Sequence, residues 1–187
     1  MVNKEKVEEA VRMLLEGIGE DCSREGLKET PMRVARMYEE LMEGMEGSPK
    51  DHLSKTFTHL DNQMVLEKDI PFYSVCEHHM MPFFGKIHIA YIPDGKVVGI
   101  SKLVRTVEVF ARRLQIQERM TAEIAGAVMD YLNPKGVMVM ARAEHMCMTM
   151  RGVKTQGSQT VTVVSKGLFE KDESLRAMFF HMVGSQN

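Results

Sequence analysis

Apolar residues recur at helical spacing over residues 4–18, where Val7, Val11, Leu14, Leu15 and Ile18 form one face and Gly17 and Gly19 end the segment. A polar connector covers 20–29. Thr30-Pro31 then opens a second helix, with Thr30 as N-cap and Pro31 at the first helical position. Val34, Met37, Leu41 and Met45 line its apolar face, and Gly44, Gly47, Ser48 and Pro49 punctuate its end.

From about residue 54 the period changes to two. Segments 55–60, 63–70 and 83–92 read as strands, and Ile87, Ile89 and Tyr91 alternate with Lys86, His88 and Ala90. Pro93-Asp94-Gly95 predicts a hairpin turn into a strand over 96–100. Ser101 is placed to cap a helix running to Leu114, with Leu103, Val107, Phe110 and Leu114 facing inward. A further helix covers 117–132 and stops at Asn133-Pro134-Lys135-Gly136. Residues 137–150 alternate again, 160–165 form another strand, and 172–183 form a terminal helix. This order predicts an α+β fold, a largely antiparallel sheet with a helix pair on one face. The strand at 137–150 is apolar on both faces and so is expected to be covered twice, by the helix pair and by another subunit.

Composition narrows the partners. The 187 residues are 44% hydrophobic and 27% charged with a net charge of -2, which disfavours a general nucleic-acid or membrane-surface binder. No apolar run is long enough to span a bilayer. Three cysteines do not make a disulfide framework, and the charged first ten residues lack an apolar signal core, so the cytoplasm is expected. The 18 methionines, with no tryptophan, predict a methionine-filled core.

Two segments concentrate the chemistry: Cys76-Glu77-His78-His79 and His145-Met146-Cys147. Thiolate and imidazole are the ligands zinc favours, and catalytic zinc keeps three protein ligands and an open position. Five candidate groups exceed one tetrahedral shell, which favours a catalytic site. On a strand, His145 and Cys147 would point to one face, and Cys76 and His79 would share a turn. A structural Cys2His2 staple of Cys76, His79, His145 and Cys147 is the competing reading. About 65 residues separate the two pairs, far more than in a zinc finger. No H-E-x-x-H and no deaminase pattern occurs.

There is no P-loop, so an anion would be met by helix starts and cations. Ser101, Lys102 and Arg105 begin one helix, Arg33 lies in the first turn of another, and Arg151 and Lys154 follow the Cys/His strand. Gln117-Glu118-Arg119 opens a helix where the carboxylate either complements the helix dipole or accepts from two adjacent N–H groups, as on a guanine edge.

Cys76-Glu77-His78-His79, Gly99–Arg105, Gln115–Arg119, His145-Met146-Cys147 with Arg151-Gly152, and Thr30–Ala35 closely resemble the GTP cyclohydrolase I family, in order and over nearly the whole chain. The resemblance implies a tunnelling (T-) fold: an antiparallel four-stranded sheet with a helix pair on one face over residues 51–187, after an N-terminal helical extension over 1–50. It implies subunits joining their sheets into a barrel and stacking as two pentamers, a homodecamer with active sites at subunit interfaces. It also implies conversion of GTP and water to 7,8-dihydroneopterin triphosphate and formate, the first step of tetrahydrofolate or pterin synthesis. Cys76, His79 and Cys147 would hold zinc, and His78 and His145 would transfer protons. Glu118 and Gln117 would grip the guanine edge. Ser101, Lys102, Arg105 and Arg151, with Arg33 from a neighbouring chain, would hold triphosphate and ribose. Two other functions compete: a zinc-stapled oligomer that binds a purine or pterin without turnover, and a T-fold relative acting on another pterin or deazapurine.

Overall fold

Asn3 starts the first helix by accepting the Lys6 N–H at 3.0 Å, and α1 runs Lys4–Gly17. The computed structural model describes residues 2–184. α2 (Thr30–Leu41) packs against α1, with Lys4 bonded to Glu39 at 3.0 Å. Thr30 is the first helical residue rather than the cap: Glu29 holds the cap position, and the Thr30 hydroxyl donates to the Gly26 carbonyl. A 3-10 turn, Glu43–Met45, ties this hairpin to the rest, because the Gly44 N–H donates to Arg112 at 3.0 Å and Arg113 donates to Gly44 at 2.6 Å. α3 (Pro49–Leu53) buries Leu53 in the main core, so the division expected between residues 50 and 51 falls inside a helix.

β1 (Thr56–Thr58), β2 (Val65–Cys76), β3 (Pro82–Ile92) and β4 (Lys96–Val98) follow. A bulge between Glu67 and Ile70, with Asp69 at φ 62°, lets β2 continue as one strand through Pro71. The turn at 93–95 forms, but the expected hairpin does not. β4 pairs with β1, because β3 already has β2 on one side and β6 on the other.

Next come α4 (Ile100–Ala111), the two-residue β5 (Leu114–Gln115) and α5 (Gln117–Ala127), which runs on as a π turn over Val128–Leu132. Asn133, left-handed at φ 53°, closes it. β6 (Gly136–His145), α6 (Met146–Thr149), β7 (Thr160–Gly167), α7 (Leu168–Lys171) and α8 (Glu173–Gly184) complete the chain. The sheet order is β5-β2-β3-β6-β7: four antiparallel strands, with β5 added in parallel at one edge. The α+β class and the antiparallel four-strand core are as expected.

One sheet face packs Ile87, Ile89, Val137 and Val139 against Leu103 and Ile124 of α4 and α5. On the other, Met138 and Met140 are buried beneath Phe169 and Phe179. The second cover expected from another subunit is therefore supplied at this position by the chain's own α7 and α8. A fully buried aromatic contributes about 1.5–3 kcal/mol relative to exposure, so these two phenylalanines are a sufficient cover. β6 also ends earlier than its sequence pattern. Its last partner on β3 is Phe83, opposite His145, and the residue before it is Pro82, which has no N–H to extend the ladder. Met146–Thr149 coil instead into a helical turn.

Candidate functional site

Cys76 closes β2, and its N–H donates to the Met81 carbonyl at 2.8 Å while Met80 N–H donates back at 2.8 Å. Met80 takes φ 54° to make this turn, which carries Glu77, His78 and His79. Glu77 is fastened to α5 by an ion pair with Arg119, whose Nε donates to Gln115 at 3.0 Å. The Glu77 N–H also donates to the Gln115 carbonyl at 3.0 Å. The turn is thus anchored at both its ends.

His145 is the last residue of β6, with its ring stacked on Phe83 at 4.7 Å and 4°. Cys147 is in the helical turn beyond, so the two do not share a strand face as the sequence predicts. They still converge. Ligand atoms of Cys76, His145 and Cys147 all lie within 4.8 Å of one another. Burial pushes the Cys147 thiol up, and the neighbouring Cys76 adds to the shift, since two adjacent thiolates repel. A divalent cation removes that repulsion and favours both thiolates, so two thiols and an imidazole suit a borderline-soft metal ion. Burial holds the His145 imidazole below its ordinary range, partly offset by the charge of Glu118.

His79 lies outside the three-residue cluster. Its Nε2 is 3.2 Å from Arg151 Nη1, and a guanidinium only donates, so this ring nitrogen accepts. His78 Nδ1 stands 3.8 Å from Cys76 Sγ. The cluster, His78, His79, Glu118 and Arg151 line one cavity of about 440 Å³.

Gln117 also lines this cavity, and the remaining predicted residues stand elsewhere. Ser101, Lys102 and Arg105 occupy the first turns of α4. His52 accompanies them: burial lowers its pKa first, and the charges of Arg105 and Lys102 lower it further. Desolvation and the charges of Arg105 and Lys55 likewise lower Lys102. This is a basic cluster with His52 as a member that the sequence pattern does not reveal, because residues 50–55 reach α4 only through the packing of α3. Arg33, on exposed α2, pairs with Glu29 at 2.6 Å. The Gln117 side chain is turned inward. It is 1% exposed, and both ends of its amide are engaged within the protein rather than free for a guanine edge.

A family model described as GTP cyclohydrolase I matches residues 7–184. The chain belongs to the GTP cyclohydrolase I family. It is 59% identical over 182 residues to GTP cyclohydrolase 1 of Clostridium kluyveri, covering 97% of this chain and 98% of that one. Against the Carboxydothermus hydrogenoformans relative it is 58% identical over 188 residues, covering 100% and 98%. With that of Clostridium perfringens the identity is 57% over 183 residues, covering 98% and 99%. The Cys/His cavity of this GTP cyclohydrolase I family member is therefore set in a chain matched to its relatives from end to end.

Proposed function

We propose that this protein converts GTP and water to 7,8-dihydroneopterin triphosphate and formate as a zinc-dependent enzyme, the entry step of tetrahydrofolate or pterin synthesis. The observation that carries the proposal is the convergence of Cys76, Cys147 and His145 beside Glu118 in one cavity of a GTP cyclohydrolase I family chain. Cys76, Cys147 and His79 would hold the ion, His79 by turning from Arg151. Bound zinc supplies a water whose pKa is near 7, the nucleophile that guanine C8 requires.

The chain's own residues do the rest. His78 and His145 are the imidazoles that would pass protons to and from the purine as its ring opens, and later as the sugar rearranges. The Glu118 carboxylate accepts from the two adjacent N–H groups of the guanine edge. Arg151 reaches the phosphate end from the same cavity, and Ser101, Lys102 and Arg105, with Arg33, would complete it. Those last four do not line the cavity of a single chain. A T-fold barrel, with two pentamers stacked into a decamer and each site closed by a neighbour, accounts for that division.

The test is formate release from GTP by purified protein, with and without a chelator. Chelator-sensitive formate is expected, and none from the metal-loaded protein overturns the proposal. Ligand identity is tested by metal content: His79→Ala is expected to lose zinc, whereas His145→Ala keeps zinc and assembly but abolishes formate release. The reverse pattern would make His145 the ligand.

A further inference from the structure

Gln117 begins α5 with its side chain buried, 1% exposed, between the sheet and the cavity wall. Its amide orientation follows from its neighbours. Nε2 has the Ala141 carbonyl at 3.1 Å, the Thr160 carbonyl at 3.0 Å and the Thr162 hydroxyl at 3.2 Å. Carbonyls only accept, so the amide nitrogen must face them. The Thr162 hydroxyl donates to the Thr121 hydroxyl at 2.7 Å, and Thr121 donates to the main-chain carbonyl of Gln117 at 2.7 Å. The carbonyl oxygen Oε1 is thereby aimed at His145 Nε2, 2.8 Å away.

An amide oxygen only accepts, so Nε2 of His145 carries the proton and donates. Its other nitrogen, Nδ1, then keeps a lone pair in the neutral ring. Phe83, stacked flat on the imidazole, fixes the ring plane. One tautomer in one orientation results.

We propose that Gln117 is a positioning residue for His145, its side-chain amide locking the Nε2–H tautomer and the ring orientation rather than gripping the guanine edge. This rests on the activity proposed above. The anchor is rigid: three contacts hold one end of the amide while the other end makes a single bond to the imidazole. Removing such an orienting partner typically costs roughly 10–100-fold in activity. A residue that acts only through His145 lowers kcat and leaves nucleotide affinity alone.

Three measurements test this. In the zinc-loaded full-length enzyme, Gln117→Met, close in shape but without the amide, is expected to lower kcat tenfold or more with KM for GTP within about threefold of wild type. Gln117→Glu is expected to recover most of kcat. As a buried neutral acid it donates through its hydroxyl to the carbonyls and still accepts from His145. The third readout needs no turnover: in a His145→Ala background, calorimetric titration with GTP should give the same Kd with Gln117 or Met at position 117. A tenfold weaker Kd in that background, or a raised KM with unchanged kcat in Gln117→Met, makes Gln117 a guanine contact and overturns the proposal. If Gln117→Met does not fold, the Gln117→Glu variant and its Kd decide alone: kcat and Kd near wild type support positioning, and loss of GTP affinity refutes it. Absence of formate from the wild-type enzyme would instead count against the activity, since the binding comparison stands without it.

Discussion

Cys147 and Glu118 line the same cavity and can be tested separately. Cys147→Ser replaces a thiol that a cation can ionise with a hydroxyl that stays neutral near pH 7, so the donor set loses an anionic ligand. Metal and activity are expected to fall together, with zinc per chain dropping towards zero by elemental analysis. Retained zinc would remove Cys147 from the ligand set. Glu118 is different: no group among the described residues donates to its carboxylate, so its oxygens are open to the cavity it lines. Charged hydrogen bonds contribute about 1.5–3 kcal/mol each, so Glu118→Ala is expected to weaken GTP binding roughly tenfold to a hundredfold. ATP, which lacks the paired donors, should bind the variant and the wild type alike. Equal losses for both nucleotides would move Glu118 to the phosphate end. The presence of both residues in one cavity was legible in the sequence, because Cys/His pairing and a carboxylate at a helix start are local patterns. Gln117 was not. The partners that occupy its amide lie 24, 43 and 45 residues away, and a pattern of types cannot show whether a polar side chain faces in or out.

At the level of elements, periodicity located α1, α2, α4, α5, α8, β3 and β7 to within a few residues, missed the short α3, α6 and α7, and misjudged the ends of β2 and β6. It failed where the outcome depended on a distant neighbour. β4 leaves β3 for β1, and β6 stops at His145, because the places beside them are taken or lack an N–H. One close approach between strands decides the register that sets the site. Gly85 on β3 faces Ala143 on β6, two residues before His145, and a Cβ there would lie 1.9 Å from the Arg142 carbonyl oxygen. Backbone cannot swing aside as a side chain can. Gly85→Ala is therefore expected to destabilise the fold by about 3 kcal/mol, the upper part of the range for overpacking. It should also displace the end of β6. Urea unfolding gives the first quantity, and reduced zinc occupancy in the folded fraction reports the second. A variant as stable as wild type would mean that the two strands are not held at this spacing.

The whole molecule presents surfaces that a single chain does not use. β7 is an outer strand of eight residues whose one charge is Lys166, and Val161 and Val163 are 48% and 40% exposed on it. At the opposite side of the sheet, β2 is paired by β5 only at Val75 and Cys76, so Val65–Ser74 have no outer partner among the described residues. Such edges are normally blunted by charge, proline or a cover, because their open N–H and C=O groups recruit other strands. The α1 surface adds Met13, Leu14 and Ile18, each more than 60% exposed. A contact of one edge with the other is heterologous, and it closes into a ring when the rotation between copies is right. That geometry fits the proposed barrel, in which a neighbouring copy would bring Ser101, Lys102 and Arg105 to the cavity. Replacing Val161 and Val163 together with lysine puts repelling charges on the β7 edge of every copy. Light scattering coupled to size exclusion is expected to show the wild type as a large oligomer and the double variant as monomers or small fragments of the ring. Activity should fall with assembly, while zinc bound by Cys76 and Cys147 within each chain should stay. An unchanged oligomer would place the subunit contact elsewhere, and a fully active monomer would show that one chain completes the site alone.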